Sequence, residues 1–436
     1  MKKLMKWLLG FYLLFFCGFG YSVCCLNNQG DPVDWWIIVK RPGSVEQDNG
    51  AVYIGSNVSS SEEYINLENS DGALLRTLQK VKEVGKVNIP RYDSQKKEQL
   101  MCEDSNSCTL LYNDQVHKKI SKSSVSTKYA HSKGILSFSD SMGIWIVHSL
   151  PEFPFIDTNT KEIFPNFSEN TNVRVANSSD RAYGQIFFCG SFSGKNQFEK
   201  IQEHLKKLKV NFYPHVNYKF YPKEKKGTKS NLIQSNIKLF SSGLELQEKL
   251  QLVSYGRKYA KKTDNDIYDY YAKDIIKSSL KVQHWYSSRN KELKVGSVSY
   301  IRKMHFPNQS ESWGNSDTRE DHSKWAISGN KGKLFCIGDL NRETLQKERG
   351  GQLLCFENQR VWNMFHSMIY TPEQRGAIKV LAQESGLSKN KLTKVKKIKE
   401  CTLKELIKMG DIVVCKEGQK HAHYLKEHKP NPCADV

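Results

Sequence analysis

The amino-acid sequence predicts an α/β protein assembled from two halves that share one active site. Its 436 residues suit two packed domains better than a single hydrophobic core. Short apolar runs of strand length alternate with segments whose apolar residues recur at helical spacing. The tripeptide His-Ser-Lys occurs once in each half, at residues 131–133 and 322–324. This repetition indicates a site to which each half contributes one segment.

Residues 1–24 have the features of a secretory signal peptide. Lys2, Lys3 and Lys6 precede an apolar segment from Trp7 to Phe19, and small residues follow that segment. The apolar segment is shorter than a membrane-spanning helix, so we expect its removal and no integral membrane segment afterwards. The expected destination is secreted or lysosomal, and the expected mature protein is a monomer.

The eleven cysteines fit an oxidising compartment, where disulfides are stable. Cys102 and Cys108 lie close together in a polar segment and predict a small loop disulfide. The sequence has no Cys-x-x-Cys pair and no zinc-finger spacing of histidines, so we expect no structural zinc. We also expect no catalytic metal and no other cofactor. Glycosylation sequons that fit the secretory route occur at Asn57, Asn166, Asn177 and Asn308.

The first half is predicted to span residues 25–221. Residues 56–70 and 91–128 are polar and predict loops. Ile135–Phe138 and Ile144–Val147 predict a hairpin with the first His-Ser-Lys segment at its start. Further patterns predict strands at Asp34–Lys40 and Gly184–Cys189 and helices at Gly72–Val84 and Phe198–Leu208.

A basic linker at residues 222–230 is predicted to precede the second half, residues 231–370. Leu252–Leu280 mixes charged and aromatic residues and is predicted to be largely helical. Strands are predicted at Val282–Tyr286, Val295–Ile301 and Leu334–Ile337, with a closing helix at Trp362–Met368. Residues 371–436 form a basic C-terminal extension. It is compatible with a nucleic-acid-binding arm, a processed tail, a partner surface or a solvated helix.

The spacing His-x-Lys is weak by itself, because this lysine-rich chain also has it at His117–Lys119 and His204–Lys206. Context distinguishes the copies at His131 and His322. Each has a central serine, adjoins a predicted strand and is followed by a turn and a second polar cluster. Loops at strand ends are where α/β scaffolds place their chemistry.

Two facing His-x-Lys pairs suit the hydrolysis of a phosphodiester. On a strand, residues two apart point to the same side, so each lysine can bind a phosphate oxygen beside its histidine. A neutral imidazole can attack phosphorus while a protonated one donates to the leaving oxygen and then activates water. The lysines supply charge that a metal would otherwise supply. The net charge of +20 favours a polyanionic partner, and the opposite protonation states of the imidazoles predict an acidic working pH.

Several stretches together resemble the deoxyribonuclease II family of acid endonucleases. They are Asp31–Trp36, His131–Gly134, Gly143–Pro154, Tyr183–Cys189, Asp321–Trp325, Cys336–Arg342 and Arg349–Gly351. The resemblance implies a phospholipase D-like architecture, in which two similar α/β halves with central mixed sheets flanked by helices share one cleft. It also implies metal-independent cleavage of DNA that leaves 3′-phosphate and 5′-hydroxyl ends.

The resemblance places catalysis at His131, Lys133, His322 and Lys324. It leaves open which histidine is the nucleophile. Asp339 and Asn341 are candidate partners of the phosphate or of a histidine, with a plain turn after a strand as the alternative. The family pattern also implies the disulfides Cys25–Cys189 and Cys336–Cys355.

Two other functions remain as alternatives. One is a homologue with weak or no catalysis that binds DNA or another partner, and the other is a phosphodiesterase that acts on lipid head groups. Retention of both His-x-Lys pairs favours catalysis, because loss of either pair would break the mechanism. The net positive charge favours nucleic acid over lipid.

Overall fold

The structure of the chain is a computed structural model. It describes residues 22–42, 50–56, 63–65, 67, 71–85, 87–88, 91–93, 98–100, 102, 106–116, 129–157, 159–160, 163–164, 183–213, 232–238, 251–257, 266–285, 297–306, 312–314, 321–329, 332–343, 346 and 349–369. The predicted signal segment up to residue 21, the four sequons, the linker and the basic extension lie outside these residues. No helix among the described residues is long and apolar enough to cross a membrane.

The first half of the chain contributes fourteen strands and two long helices to the described structure. In chain order they are β1 (Cys25–Leu26), β2 (Pro32–Val33), β3 (Trp35–Lys40), β4 (Ala51–Gly55), β5 (Glu63–Ile65), α1 (Ala73–Val84), β6 (Arg91–Asp93), β7 (Glu98–Leu100), β8 (Ser107–Asn113), β9 (Lys133–Ser139), β10 (Met142–His148), β11 (Phe155–Ile156), β12 (Ile163–Phe164), β13 (Gln185–Ser193), α2 (Lys195–Leu208) and β14 (Phe212–Tyr213).

The second half contributes a further nine strands. Its elements are β15 (Leu232–Lys238), β16 (Gln251–Arg257), α3 (Ile267–Tyr270), a π-helical turn (Tyr271–Ile275), β17 (Leu280–Gln283), β18 (Val298–Tyr300), β19 (Lys303–His305), β20 (Ser312–Gly314), β21 (Trp325–Ser328), β22 (Leu334–Gly338), β23 (Gly351–Glu357) and α4 (Gln359–Ser367).

Two large sheets organise these elements. The N-terminal sheet has the strand order β14-β8-β9-β10-β13-β3-β4-β5, and the C-terminal sheet has the order β15-β16-β23-β22-β21-β17-β18. Strand β17 pairs in parallel with β18, while β9 and β10, like β21 and β22, form antiparallel pairs. The predicted α/β class is therefore confirmed. The order β8-β9-β10-β13 matches the order β17-β21-β22-β23, so the strand after each His-Ser-Lys segment occupies the same place in its sheet.

Helices cover the N-terminal sheet because its strands alternate apolar side chains between two faces. On one face, Leu74 and Leu78 of α1 belong to the same buried core as Ile144 and Ile146 of β10. On the other face, the intervening Trp145 meets His204 of α2, with ring centroids 6.3 Å apart. Neighbouring residues of one strand thus anchor two different helices.

The two sheets meet through aromatic side chains. Phe356 of β23 lies 5.9 Å from Trp35 of β3 and 6.0 Å from Phe188 of β13, measured between ring centroids. All three residues are buried, and aromatic pairs of this kind contribute about 0.5–1.5 kcal/mol beyond the area they bury. This contact fixes the sheets against each other and hence the two His-Ser-Lys segments.

Three disulfides join Cys25 to Cys189, Cys102 to Cys108 and Cys336 to Cys355. All three pairings agree with the sequence predictions. Cys336 and Cys355 lie opposite each other on β22 and β23, so their disulfide closes the loop that carries residues 339–350. The first disulfide ties the start of the described chain to the middle of the N-terminal sheet.

The prediction of a largely helical segment at Leu252–Leu280 was wrong. Its first part is strand β16, which pairs with β23 in the register Val253 to Cys355. Among the described residues of this segment, helical structure covers residues 267–275, starting where the Asp266 carboxylate accepts hydrogen bonds from the N–H groups of Tyr268 and Asp269. Tertiary pairing outweighed the local pattern.

The predicted loops at residues 56–70 and 91–128 also contain strands. The important case is β8, which pairs with β9 along seven residues, from Ser107 opposite Ser139 to Asn113 opposite Lys133. Its apolar residues Leu110, Leu111 and Tyr112 are fully buried. Polar residues flank this strand on both sides, and the polar composition of the whole segment led to the prediction of a loop.

The chain divides into two compact units. The first contains residues 1–300 and 318–362 and includes both large sheets. The second contains residues 301–317 and 363–436. In the described part of the second unit, β19 pairs with β20, and Phe306 packs edge-on against Trp313 with ring centroids 4.8 Å apart.

Candidate active site

The first half-site, residues 131–133, is built by contacts with the second half of the chain. The His131 backbone N–H donates to the Gly350 carbonyl oxygen at 2.8 Å. The His131 Nδ1 lies 2.6 Å from the carbonyl oxygen of Asp339, and the Ser132 hydroxyl donates to the Asp339 carboxylate. The loop after β22 therefore orients the histidine that precedes β9.

Lys133 begins β9 and forms a buried ion pair with Asp114, which follows the neighbouring strand β8. The other Asp114 oxygen accepts from Arg349 Nη2 at 2.9 Å and lies 3.8 Å from His131 Nε2. Burial acts to raise the pKa of Asp114, but Lys133, His131 and Arg349 outweigh it and hold this pKa below its usual value. Asp114 is thus a buried carboxylate among three basic side chains.

The second half-site, residues 322–324, is held by the first half of the chain. The His322 backbone N–H donates to the Gly184 carbonyl oxygen at 2.9 Å. A Cβ atom at residue 184 would lie 2.6 Å from an Asp321 carboxylate oxygen, so this close approach requires glycine. The same Asp321 oxygen accepts from the Ser323 N–H at 2.8 Å and fixes the turn before β21.

Aromatic rings surround the His322 side chain. The Tyr183 ring stacks on it with centroids 4.1 Å apart and an interplanar angle of 22°, and the Trp285 ring lies 5.2 Å away. The His322 Nε2 atom has no hydrogen-bond partner among the described residues. This nitrogen is therefore buried without a hydrogen bond in the described part of the chain.

Both histidines are held in the neutral form. Burial, followed by the charges of Lys324 and Lys133, lowers the pKa of His322 to about 3. Burial and then Lys133 also lower the pKa of His131 well below its usual value, while Asp114 opposes this shift. Each histidine is affected by the lysine of the other half-site, so the structure brings the two predicted pairs into one electrostatic environment.

Lys324 differs from Lys133 in its contacts. It is 4% exposed, and its Nζ donates to the His322 carbonyl oxygen at 2.8 Å. Burial and then the Lys133 charge lower the pKa of Lys324 to about 7, against the opposing effect of nearby carboxylates. Its ammonium group is therefore fully charged only below neutral pH.

Asp339 and Asn341 follow strand β22 as predicted but occupy different environments. Asp339 contacts both His131 and Ser132, so it is a partner of the histidine segment and more than a turn residue. Burial raises the pKa of Asp339 to about 7, and the hydrogen bond from Ser132 limits the rise. The Asn341 N–H donates to Gln346 at 2.7 Å, while its side-chain oxygen has no hydrogen-bond partner among the described residues.

Apart from Asp339, the side-chain partners of both half-sites were not predicted from the sequence. Asp114 lay in a segment predicted to be a loop, although an aspartate directly after a strand could have signalled it. Tyr183 and Arg349 lie in stretches that carry the family resemblance, but the residues alone gave them no role. Trp285 lies two residues after the end of β17, the neighbour of β21, where its ring reaches His322.

Comparison with known proteins identifies the family. Residues 24–375 match the family model of deoxyribonuclease II. Cell-death-related nuclease 7 of Caenorhabditis elegans is 26% identical over 83% of this chain and 90% of its own length. Plancitoxin-1 of Acanthaster planci is 28% identical over 81% and 92%, and deoxyribonuclease-2-beta of Mus musculus is 28% identical over 82% and 95%. The chain belongs to the deoxyribonuclease II family.

Proposed function

We propose that this protein is a metal-independent acid endodeoxyribonuclease that hydrolyses DNA to 3′-phosphate and 5′-hydroxyl ends. The observation that carries the proposal is that two His-Ser-Lys segments with buried serines and lysines are each held by the opposite half of the chain, and that each histidine is affected by the lysine of the other segment. Relatives named deoxyribonuclease support DNA as the substrate. The matching strand orders around the two segments support a phospholipase D-like architecture with catalytic residues His131, Lys133, His322 and Lys324.

In the proposed first step, His322 Nε2 attacks phosphorus. Its pKa of about 3 keeps the imidazole neutral at mildly acidic pH, and this nitrogen has no partner among the described residues. The P–N bond forms as the bond from phosphorus to the 5′ oxygen breaks, and the leaving oxygen takes a proton from His131. A phosphohistidine bearing the 3′ side of the DNA results.

In the second step, water attacks the phosphohistidine. Neutral His131 accepts a proton from the water as the P–N bond breaks, which releases the 3′-phosphate end and restores neutral His322. The His131 Nδ1 faces the Asp339 carbonyl oxygen, so its Nε2 is the atom left to exchange protons with substrate and water. The Lys133 and Lys324 ammonium groups neutralise the phosphate oxygens.

An acidic working pH follows from two groups. His131 must be protonated for the first step, and its lowered pKa means that this form increases as the pH falls. Lys324 loses its charge as the pH rises through about 7. Both effects reduce the rate at neutral pH, and the negative phosphate favours both protonated forms in the complex.

The remaining expectations about the mature protein are proposals of the same kind. Three disulfides support passage through an oxidising compartment, and with it a secreted or lysosomal destination. We also propose that residues 1–24 are removed and that the mature protein is a monomer. Its two halves are proposed to be residues 25–221 and 231–370.

Plasmid digestion at about pH 5 with excess chelator tests this function. Wild-type protein should cleave, while His131→Ala and His322→Ala should each lower the rate about 10²–10⁴-fold, the usual contribution of such groups. His366→Ala changes a half-buried histidine of α4 and should cleave like wild type. Cleavage that chelator abolishes, or a fully active His322→Ala protein, would contradict the mechanism. DNA binding by an inactive wild-type protein would instead favour a binding function.

A further inference from the structure

We propose that Asp114 is a positioning residue shared by both half-sites. Together with Arg349 it holds the Lys133 ammonium group in place, and it supplies the negative charge that allows Lys133 and Lys324 to occupy one site. The proposal rests on the proposed function, since it assigns the charge balance of the same phosphate-binding site.

The contacts of Asp114 join the two halves of the chain. Its side chain is fully buried after β8, with one oxygen on Lys133 Nζ and the other 2.9 Å from Arg349 Nη2. Arg349 lies in the loop before β23, and the same Nη2 donates to the Tyr129 carbonyl oxygen at 3.2 Å. One carboxylate therefore fixes Lys133, the backbone just before His131 and the loop that accepts the His131 N–H.

Two buried ammonium groups need a counter-charge, because like charges in a poorly solvated site destabilise each other. Lys133 and Lys324 are 2% and 4% exposed. Asp339 has a pKa of about 7 and is largely neutral at acidic pH, whereas Asp114 stays ionised there. Asp321 also favours the charged form of Lys324, but Asp114 is the ionised carboxylate that both pairs with Lys133 and acts on Lys324 at the pH where the protein is proposed to work.

The groups around Asp114 and Lys324 predict how the Asp114 charge affects protonation in the site. Asp114 is faced by Lys133, His131 and Arg349. The charged and titratable groups that face Lys324 are Lys133, Asp114, Asp321, Asp339, His131, His322 and His284. The Asp114 charge favours the protonated forms of both Lys324 and His131, which are the forms that catalysis requires. Its removal should therefore shift the loss of activity on the alkaline side to lower pH.

The test measures kcat, KM and the pH–rate profile of DNA cleavage for four variants. Asp114→Asn should lower kcat about 10²-fold because Lys133 is misplaced, with a much smaller change in KM. Its alkaline limb should move down by about one pH unit. Asp114→Glu keeps the charge but displaces it, so kcat should fall while the alkaline limb of the pH–rate profile remains at the wild-type pH. Arg349→Lys should leave the alkaline limb at the wild-type pH. Asp140→Asn should match wild type in all three measurements, since Asp140 is exposed and its positive φ of 57° suits asparagine.

Sulfate binding, measured by calorimetry across the same pH range, provides a readout without turnover. In wild type, affinity should fall as the pH rises through about 7, where Lys324 loses its charge. In Asp114→Asn this fall should occur at lower pH. An Asp114→Asn protein with an unmoved alkaline limb and an unmoved sulfate profile would overturn the proposal, even if its folded fraction were reduced. Absence of cleavage by wild type would instead contradict the proposed function, and the sulfate profiles would still test Asp114.

Discussion

The two His-Ser-Lys segments have identical sequences but different surroundings. Around the first, the contacts are ionic and polar, since Lys133 pairs with Asp114 and Ser132 donates to Asp339. Around the second, aromatic rings pack on the histidine, and Lys324 donates to a backbone carbonyl. The first segment thus has ionic and polar side-chain partners, whereas in the second segment aromatic rings pack on the histidine.

The backbones of the two segments are held by equivalent hydrogen bonds. The His131 N–H donates to the Gly350 carbonyl and the His322 N–H to the Gly184 carbonyl, at 2.8 and 2.9 Å. Each glycine lies immediately before the fourth strand of the repeated order in the opposite half, Gly184 before β13 and Gly350 before β23. The repeated fold therefore positions both histidines, and the side chains around them create the difference. That difference suits one imidazole that attacks and one that transfers protons.

The largest expected effect concerns the two lysines. Lys133→Met and Lys324→Met should each lower the cleavage rate at least about 10²-fold, because each removes a charge that is proposed to bind phosphate. Their effects on the free energy of unfolding should be opposite. Lys133→Met leaves the buried Asp114 with Arg349 as its remaining ion-pair partner, which should cost up to about 3 kcal/mol.

Lys324→Met should stabilise the protein in acid. The pKa of Lys324 falls from 10.5 to about 7 on folding, so the folded state carries the full penalty of a buried charge below pH 7. Removing it should gain on the order of a few kcal/mol there, and the gain should shrink as the pH rises from 7 towards 10.5. Urea unfolding on both sides of neutral pH measures this. Equal destabilisation by both substitutions would contradict the difference between Lys133, which is stabilised by an ion pair, and Lys324, which donates to a backbone carbonyl.

A smaller effect is expected from the two serines. Ser132→Ala removes the donor to the buried Asp339 carboxylate, which should cost about 1–3 kcal/mol and lower the cleavage rate about 10-fold. The stability loss should be larger above pH 7 than at pH 5, because the Ser132 hydrogen bond favours ionised Asp339, whose pKa is about 7.

Ser323→Ala is the matched comparison. The Ser323 hydroxyl is buried without a hydrogen-bond partner among the described residues. Its replacement should change the free energy of unfolding by less than about 0.5 kcal/mol. Thermal unfolding of the two variants measures the difference, and a similar loss in both would mean that Asp339 does not depend on Ser132.

The features that the sequence predicted are those carried by neighbouring residues. The hairpin after His131, helix α1, the polar cluster at Asp339 and the Cys102–Cys108 disulfide all follow from local patterns, and the other two disulfides came from family resemblance. The asymmetry between the half-sites could not be predicted in this way. Asp114 and Arg349 are 235 residues apart, and β16 is a strand because β23 pairs with it. Such contacts depend on how the two sheets pack, which no local period encodes.

The smallest expected effect concerns the aromatic rings around His322 and tests whether they keep its imidazole neutral. Tyr183 is half-buried and stacks on His322, so Tyr183→Ala should admit water to the imidazole and raise its pKa from about 3 towards 6.5. Because His322 must be neutral to attack, the acid limb of the pH–rate profile should move to higher pH. The rate at about pH 5 should be a few-fold below that of wild type, and the difference from wild type should disappear as the pH rises towards 6.5. Tyr183→Phe keeps the ring and should follow the wild-type profile. An acid limb unmoved in Tyr183→Ala would show that the remaining packing, including Trp285, is sufficient to keep His322 neutral.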